Sequence, residues 1–329
     1  MELIDLRRLS PRELRPLFEE EEIYWREELL WDYRPSLDLL RRYLDAHLLS
    51  GYAVRASERI VGYGFYVLQG HKAVIGDVFV SRRHPSTPAA ELLLAEMVAT
   101  LRGIPYLHRI ETQLITADEG LMTPMATLGF RIYLRQLRML DLQRVALPPA
   151  GAAGIRLHPW RETWLFPVAR LIRLAYENHV DSELNDQYRT ESDILRFLQN
   201  IIYAQGCGQF LPEASFVVSA GLTEPALGVV LTSAVAPAVG HTTQLCVLPG
   251  YQGHGLGRTL MQASIAALQQ KAFRWLTLTV TAGNQTALGL YERLGFRLRH
   301  TFPAGVWTSE QDAAPAASLP VVPSDPQDV

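Results

Sequence analysis

The sequence predicts an α/β (α+β) fold made twice, and three observations carry that expectation. "VFVSRRHPSTPAAELLL" (78–94) aligns without a gap on "LCVLPGYQGHGLGRTLM" (245–261) at an offset of 167, and "LMTPMATLGFRI" (121–132) aligns on "ALGLYERLGFRL" (287–298) at 166. Two matches at nearly one offset mark a duplicated unit of roughly 150 residues, a common size for a globular domain. Between the copies, "RVALPPAGAAGI" (144–155) breaks the pattern with Pro, Gly and Ala, as a linker does. The expected organisation is a first domain over 1–145, a linker over 146–154, a second domain over 155–308, and a disordered tail over 309–329, where Pro, Ala, Ser and Asp follow no period.

The second copy sets out the elements most clearly. "GIRLHPW" reads as a strand, and "ETWLFPVARLIRLAYENH" and "ESDILRFLQNIIYAQG" carry apolar residues at three- and four-residue spacing, hence two helices. "ASFVVSAG", "ALGVVLTSAV" and "HTTQLCVL" are short β-rich runs separated by turn signals, so they are expected as consecutive antiparallel strands. A glycine loop follows, then a helix over 256–271, the strand "WLTLTV", a helix over 285–294 and the closing strand "FRLRHTF". The first copy repeats this order with strands near 2–8, 51–55, 59–68, 73–81 and 109–116.

Composition narrows the function classes. Residues 48% hydrophobic and 20% charged can bury sizeable cores, and a formal charge of −3 argues against a protein that coats nucleic acid. The acidic start "MELIDLRRLSPRELRPLFEEEE" does not read as a signal peptide, and no run approaches the ~20 apolar residues of a membrane helix. Cys207 and Cys246 are too few for a metal cluster or a disulfide framework. The expectation is a cytoplasmic protein that binds neither nucleic acid nor membrane and needs no metal.

The glycines of "PGYQGHGLGRTLMQA" (249–263) are the strongest chemical signal. Gly253, Gly255 and Gly257 stand at alternate positions where a helix begins. The first N–H groups of a helix have no partner inside it and point outward with the positive end of the dipole, so glycines there favour a bound anion. A dinucleotide fingerprint, G-x-G-x-x-G, fails because its last position falls on Arg258 or Leu260; a P-loop fails because Leu256 stands where its lysine belongs.

"VLPGYQGHGLGRTL" followed by "NQTALGLYERLGF" resembles the GNAT superfamily of acyl-CoA-dependent N-acetyltransferases, which carries Q/R-x-x-G-x-G/A after its fourth strand and later an Asn, a Tyr and Gly-Phe. Here these are Gln252-Gly253-His254-Gly255-Leu256-Gly257, then Asn284, Tyr291 and Gly295-Phe296. The resemblance implies two tandem GNAT folds, each a mixed, mostly antiparallel sheet flanked by helices. It implies acetyl-CoA as co-substrate, with its pyrophosphate on the backbone of the loop and Arg258 adding charge. Pantetheine would lie between the parted fourth and fifth strands, against the backbone of Leu245 and Val247. N–H groups near Leu245 and Cys246 would face the thioester oxygen, and Asn284 would cap its helix and reach the pantetheine arm. Tyr291 would protonate the departing thiolate. The implied acceptor is a small-molecule or peptide amine, and the implied assembly a monomer or homodimer.

Two departures qualify the resemblance. Many family members place a glutamate on the fourth strand as general base, where this chain has Gln244, which cannot ionise. That leaves His241, Asp181 and Glu183 as candidates, and non-catalytic coenzyme A binding by a sensor or scaffold as the alternative function. In the first copy, Ser86, Pro88 and Ala90 replace the three glycines, Met125 replaces Tyr291 and Asp118 replaces Asn284. Proline has no N–H to offer, so this copy is expected to keep the fold without the chemistry. Arg82 and Arg83 before the altered loop remain as possible anion contacts.

Overall fold

A computed structural model describes residues 1–84, 86–146, 155–204, 207–221 and 225–309. Nearly all of the linker and the tail expected from the sequence lie outside these residues. The first half runs β1 (Glu2–Asp5), α1 (Pro11–Glu28), α2 (Arg34–Asp45), β2 (Gly51–Ala56), β3 (Arg59–Gln69), β4 (Lys72–Val80), α3 (Ser86–Arg102), β5 (Arg109–Gln113), α4 (Met122–Thr127) and β6 (Arg131–Asp141). The second half runs β7 (Arg156–Pro159), α5 (Leu165–Ala175), α6 (Val180–Leu184), α7 (Glu191–Ile202), β8 (Gln209–Phe210), β9 (Phe216–Ser219), β10 (Ala226–Ala236), β11 (Val239–Val247), α8 (Leu256–Gln270), β12 (Trp275–Thr281), α9 (Gln285–Arg293) and β13 (Arg297–Thr308). Local chemistry sets several boundaries. Ser10 and Glu13 form a reciprocal capping box with Pro11 at the first position of α1, and the Asn284 side chain accepts from the Ala287 N–H to cap α9.

The strands form one continuous sheet in the order β1-β2-β3-β4-β5-β13-β6-β12-β11-β10-β9-β7, with β8 pairing off this path on β10. Two mostly antiparallel α/β units are present, as the sequence predicts, but each unit's last strand lies beside the other unit's next-to-last. β13 pairs with β5, joining Thr308 to Arg109, and β6 pairs with β12, joining Asp141 to Trp275. The two exchanged strands then pair with each other. Local pattern does not reveal this exchange, because a strand's periodicity is the same whichever neighbour it bonds to.

Helices cover both faces. In the first half, α3 and α4 pack over Val54, Ile75, Val78 and Ile110 on one face, and α1 and α2 over Ala53, Tyr63 and Phe79 on the other. In the second half, α8 and α9 cover Val230, Leu276 and Leu278, while α5 and α7 cover Val217, Val229 and Leu231. The exchanged strands contribute to these cores. Leu137 and Phe302, each about 1% exposed, sit in the α1/α2 core, where burying a side chain of that size contributes roughly 1.5–3 kcal/mol.

The duplication extends to irregularities. β10 and β11 slip register so that Thr243 is an extra residue between the pairs Leu231–Gln244 and Thr232–Thr242. β3 and β4 slip at Gly76, between Tyr66–Ile75 and Phe65–Asp77, which is the same place at the 167-residue offset. Gly76 makes room for the Phe65 ring there: a Cβ would stand 2.3 Å from it, so the ring would have to move.

Candidate active site

β11 and β12 run parallel and pair only from Val239–Trp275 to Thr242–Leu278. Beyond that point lies the bulge at Thr243, and a bulge bends its strand away from its neighbour. The outer edge of β11 is therefore open over its last residues. Backbone groups alternate in direction along a strand, and the Leu248 N–H turns inward to the Leu227 carbonyl at 2.9 Å. Leu245 and Val247, three and one positions earlier, present their N–H groups to the opening. Their side chains pack on the α8/α9 core, and that of Cys246 on the α5/α7 core.

The loop after β11 ends in a helix start with free donors. Gly253 and Gly255 adopt φ of +79° and +83°, a left-handed conformation that only glycine takes without strain, and Gly255 is the residue before α8. The first helical bond runs from the Thr259 N–H to the Gly255 carbonyl at 3.0 Å. Among the described residues, the six N–H groups from Gly253 to Arg258 find no acceptor in the chain. The space above Gly253 and Gly255 is open for 4 Å, whereas Gly257 meets Leu290 of α9 at 3.3 Å, so its lack of a side chain serves helix packing. Gln252 braces the loop by donating from Nε2 to the Val247 carbonyl at 3.1 Å, and a His254 ring nitrogen lies 2.8 Å from the Gln252 carbonyl. Leu256 is buried in the core beneath, while Arg258 is exposed on the helix's first turn. Such a row of donors at the positive end of a 15-residue helix fits a diphosphate, so the residues present suit the anionic part of coenzyme A.

Tyr291 projects from α9 and is 7% exposed, its ring 5.6 Å from that of Phe296. Among the described residues its hydroxyl has no hydrogen-bond partner. Burial, and secondarily Asp181, push its pKa well above that of a free tyrosine, with Arg135 acting the other way. The group therefore holds its proton at neutral pH, as an acid must.

The three base candidates separate cleanly. His241 lies under Trp31 of the first half, rings 5.0 Å apart, and its ring nitrogen is 2.9 Å from the Thr277 hydroxyl; burial lowers its pKa to about 4. Glu183 is half-exposed and held by the Tyr133 hydroxyl at 2.7 Å and by Arg131 at 3.0 Å. Asp181 alone turns inward. Its Oδ1 accepts from Arg135 at 2.9 Å and from the Thr281 hydroxyl at 2.5 Å, and Thr281 is the last residue of β12. Around it lie Tyr176, Tyr188 and His179, which the sequence reading did not select, beside Gln244 and Asn284, which it named. Gln244 donates to the Tyr176 hydroxyl at 2.8 Å, the Tyr176 and Tyr188 rings stack at 4.2 Å, and the Asn284 amide lies 3.2 Å from His179. Arg135 was hidden because its nearest chemistry is in the other half; the signal that finds it is an arginine at a strand position that burial would otherwise reserve for a hydrophobe.

Cys246 is buried, and burial pushes its thiol up to about 12. A thiol so rarely ionised is a poor nucleophile.

The first half keeps a cleft in the same place, lined by Val78, Val80, Arg82, Thr116 and Asp118, but its loop is different. Leu256 corresponds to Ala89 at the 167-residue offset, and α3 begins three residues earlier, at Ser86, so helix occupies the place of the glycine turn. Pro88 lies in that first turn. Asp118 accepts from the Gly120 N–H at 2.8 Å, and Met125 is fully buried. Arg82 is engaged locally: its N–H donates to Glu20 at 2.6 Å and its guanidinium lies 4.1 Å from the centre of the Tyr24 ring.

A parted pair of parallel strands beside a helix start with free donors makes a cleft for an extended ligand with an anionic end, here in a duplicated α/β fold. Comparison with known proteins agrees. Residues 174–296 match the acetyltransferase (GNAT) family. A mycothiol acetyltransferase from Nocardiopsis dassonvillei is 27% identical over 173 residues, 49% of this chain and 48% of that protein. Another, from Kocuria rhizophila, is 43% identical over 65 residues, 20% of this chain and 22% of that protein. The matched region thus spans about half of these curated relatives' length or less. Among solved structures, a GCN5-related N-acetyltransferase from Sphaerobacter thermophilus superposes with a TM-score of 0.61 at 14% identity, over 83% of this chain and 85% of that one. A tandem GNAT protein from the clavulanic acid biosynthesis pathway gives 0.54 at 17% identity, over 79% and 82%. Both likenesses establish the fold, including its tandem form. No helix among the described residues is long and apolar enough to cross a membrane.

Proposed function

We propose that this chain is an N-acetyltransferase that moves an acetyl or other short acyl group from acetyl-CoA to a primary amine, by direct attack in a ternary complex, with the chemistry in the C-terminal half. The observation that carries the reading is the run of unpartnered N–H groups from Gly253 to Arg258 beside the open edge of β11. Acetyl-CoA supplies the thioester carbonyl that the amine attacks. In this reading the Gly253–Arg258 backbone holds the diphosphate, and the edge N–H groups of Leu245 and Val247 hold the pantetheine amides as an added strand would. The Leu245 N–H meets the charge that develops on the carbonyl oxygen, a contribution worth several kcal/mol in comparable sites, about 2.7–4 per donor; the Cys246 N–H, also expected there from the sequence, alternates with it and turns inward to β10. As the N–C bond forms and the C–S bond breaks, Tyr291 gives its proton to the leaving sulfur. Asp181 receives the ammonium form of the acceptor, whose proton leaves through that carboxylate or water. The buried, weakly acidic thiol of Cys246 favours direct attack over a covalent acyl-enzyme. Asn284 caps α9 and braces the acceptor loop through His179.

The acceptor is a small molecule or a peptide amine. Relatives named for mycothiol and for the alanine of ribosomal protein bS18 mark the two kinds, the latter being an Escherichia coli protein 44% identical over 52 residues, 16% of this chain and 35% of that protein. The test is release of free thiol from acetyl-CoA by the full chain with a panel of such amines. Amine-dependent release supports the reading. Binding of acetyl-CoA with no release for any amine overturns it in favour of a coenzyme A-binding sensor or scaffold.

A further inference from the structure

The exchanged strand β6 delivers one charged side chain from the first half to the second half's cleft. Arg135 stands opposite Thr281, the last residue of β12, and is 7% exposed. Its Nη1 donates to Asp181 at 2.9 Å and to the Thr281 hydroxyl at 3.0 Å, and its Nη2 donates to Thr279 at 3.3 Å. Its Nε is buried without a partner. Only Oδ1 of Asp181 is engaged; Oδ2 makes no hydrogen bond among the described residues and stands 3.9 Å from His179. The pair acts on the groups around the cleft: Asp181 and Arg135 both shift the pKa of Tyr291, and Arg135 depresses that of His241.

The molecule contains its own control. At the 167-residue offset the counterpart of Arg135 is Phe302, which pairs directly with it across β6 and β13. Phe302 serves the first half's sheet in the role Arg135 serves in the second, and it is 1% exposed in an apolar core. The fold alone is thus satisfied by a hydrophobe. A buried guanidinium with an orphaned donor is costly unless compensated, and among the described residues it appears only beside the cleft that keeps the glycine loop and Tyr291.

We propose that Arg135 is a positioning residue for the acceptor site: it fixes Asp181 by one carboxylate oxygen, leaving the other to receive the acceptor's ammonium group. The catalytic cleft is then completed by the half that lacks the chemistry. This inference rests on the acetyltransferase reading above and adds that the two halves build one acceptor site.

The experiment uses the full chain, the panel amine that gives the fastest thiol release, and Arg135→Gln, Arg135→Lys, Asp181→Asn and the double variant Arg135→Gln/Asp181→Asn. Arg135→Gln is expected to raise the acceptor KM tenfold or more while leaving the acetyl-CoA Kd within twofold, and Arg135→Lys to stay within threefold of the parent. If Arg135 acts through Asp181, the double variant loses no more than about twofold beyond Asp181→Asn. An unchanged acceptor KM in Arg135→Gln, or losses that multiply in the double variant, overturns the proposal. Should Arg135→Gln fail to fold, the same cycle with Arg135→Met, which also removes the charge and the donors, is read in the same way. No thiol release by the parent with any amine removes the acetyltransferase reading and this inference with it, whereas a working parent with an indifferent Arg135 removes the inference alone.

Discussion

The Tyr63 hydroxyl donates a 2.6 Å hydrogen bond to Glu21 inside the first half, where neither residue is exposed at all. Asp77, 2% exposed, lies close enough to raise the Glu21 pKa further. Burial is the main cause for both carboxyls, and both pKa values are raised. A carboxyl raised in the folded state stabilises it fully below the unfolded pKa, near 4, and loses that contribution as pH climbs toward the folded value. Glu21→Gln keeps an oxygen for Tyr63 and cannot ionise. Its Tm relative to the parent is expected to rise between pH 4.5 and 7.5, as thermal unfolding at the two pH values will read. A Tm difference that does not change with pH contradicts the assignment.

Gly255 carries φ +83° with open space on its Cβ side, so its cost of substitution is conformational. Gly255→Ala is expected to destabilise by about 1 kcal/mol and to weaken acetyl-CoA at least tenfold by misdirecting the free N–H groups. Gly250→Ala, where a Cβ also meets nothing and φ is ordinary, is expected to change neither stability nor affinity. Equal affinities for the two variants, measured by titration calorimetry, would remove the loop geometry from the account.

Tyr291→Phe keeps the ring against Phe296 and removes an oxygen that has no hydrogen-bond partner among the described residues. Stability is expected to be unchanged within about 0.5 kcal/mol, the acetyl-CoA Kd within twofold, and kcat down about 100-fold, the scale of a lost general acid. Because the hydroxyl is held well above the ordinary tyrosine range, the parent's kcat is expected to show no basic limb from this group below pH 10. A parent rate that falls between pH 8 and 9 while Tyr291→Phe does not would assign Tyr291 an ionisation this environment opposes.

Cys246, with its thiol pushed up to about 12 by burial, is expected to resist iodoacetamide at pH 8 in the folded chain. Cys246→Ala is expected to keep at least half of the parent's thiol-release rate. Loss of turnover on alkylation of this one residue would reopen a covalent route.

Much of this was legible from residues alone because it is local. The repeat at 166 and 167 residues recurs as matching bulges at Gly76 and Thr243, and the glycines at 253 and 255 announce a left-handed turn that few other residues accept. What stayed hidden is long-range. Nothing in "RIYLRQLRML" says that β6 lies beside β12 rather than β5, so Arg135 reads as one arginine among several on a strand. His241 carries a suitable ordinary pKa in sequence; only the fold shows Trp31 of the other half covering it. The choice of Asp181 over Glu183 likewise depends on which of two acidic residues on α6 turns toward Thr281.

The central claim, that bare N–H groups at 253–258 grip the diphosphate of acetyl-CoA in the second half alone, is tested most directly by amide hydrogen exchange with and without acetyl-CoA. Free of ligand, those six amides should exchange rapidly, since no carbonyl holds them. With acetyl-CoA the account requires strong protection over 253–258 and no change over 82–90. Protection over 82–90, or none over 253–258, contradicts it.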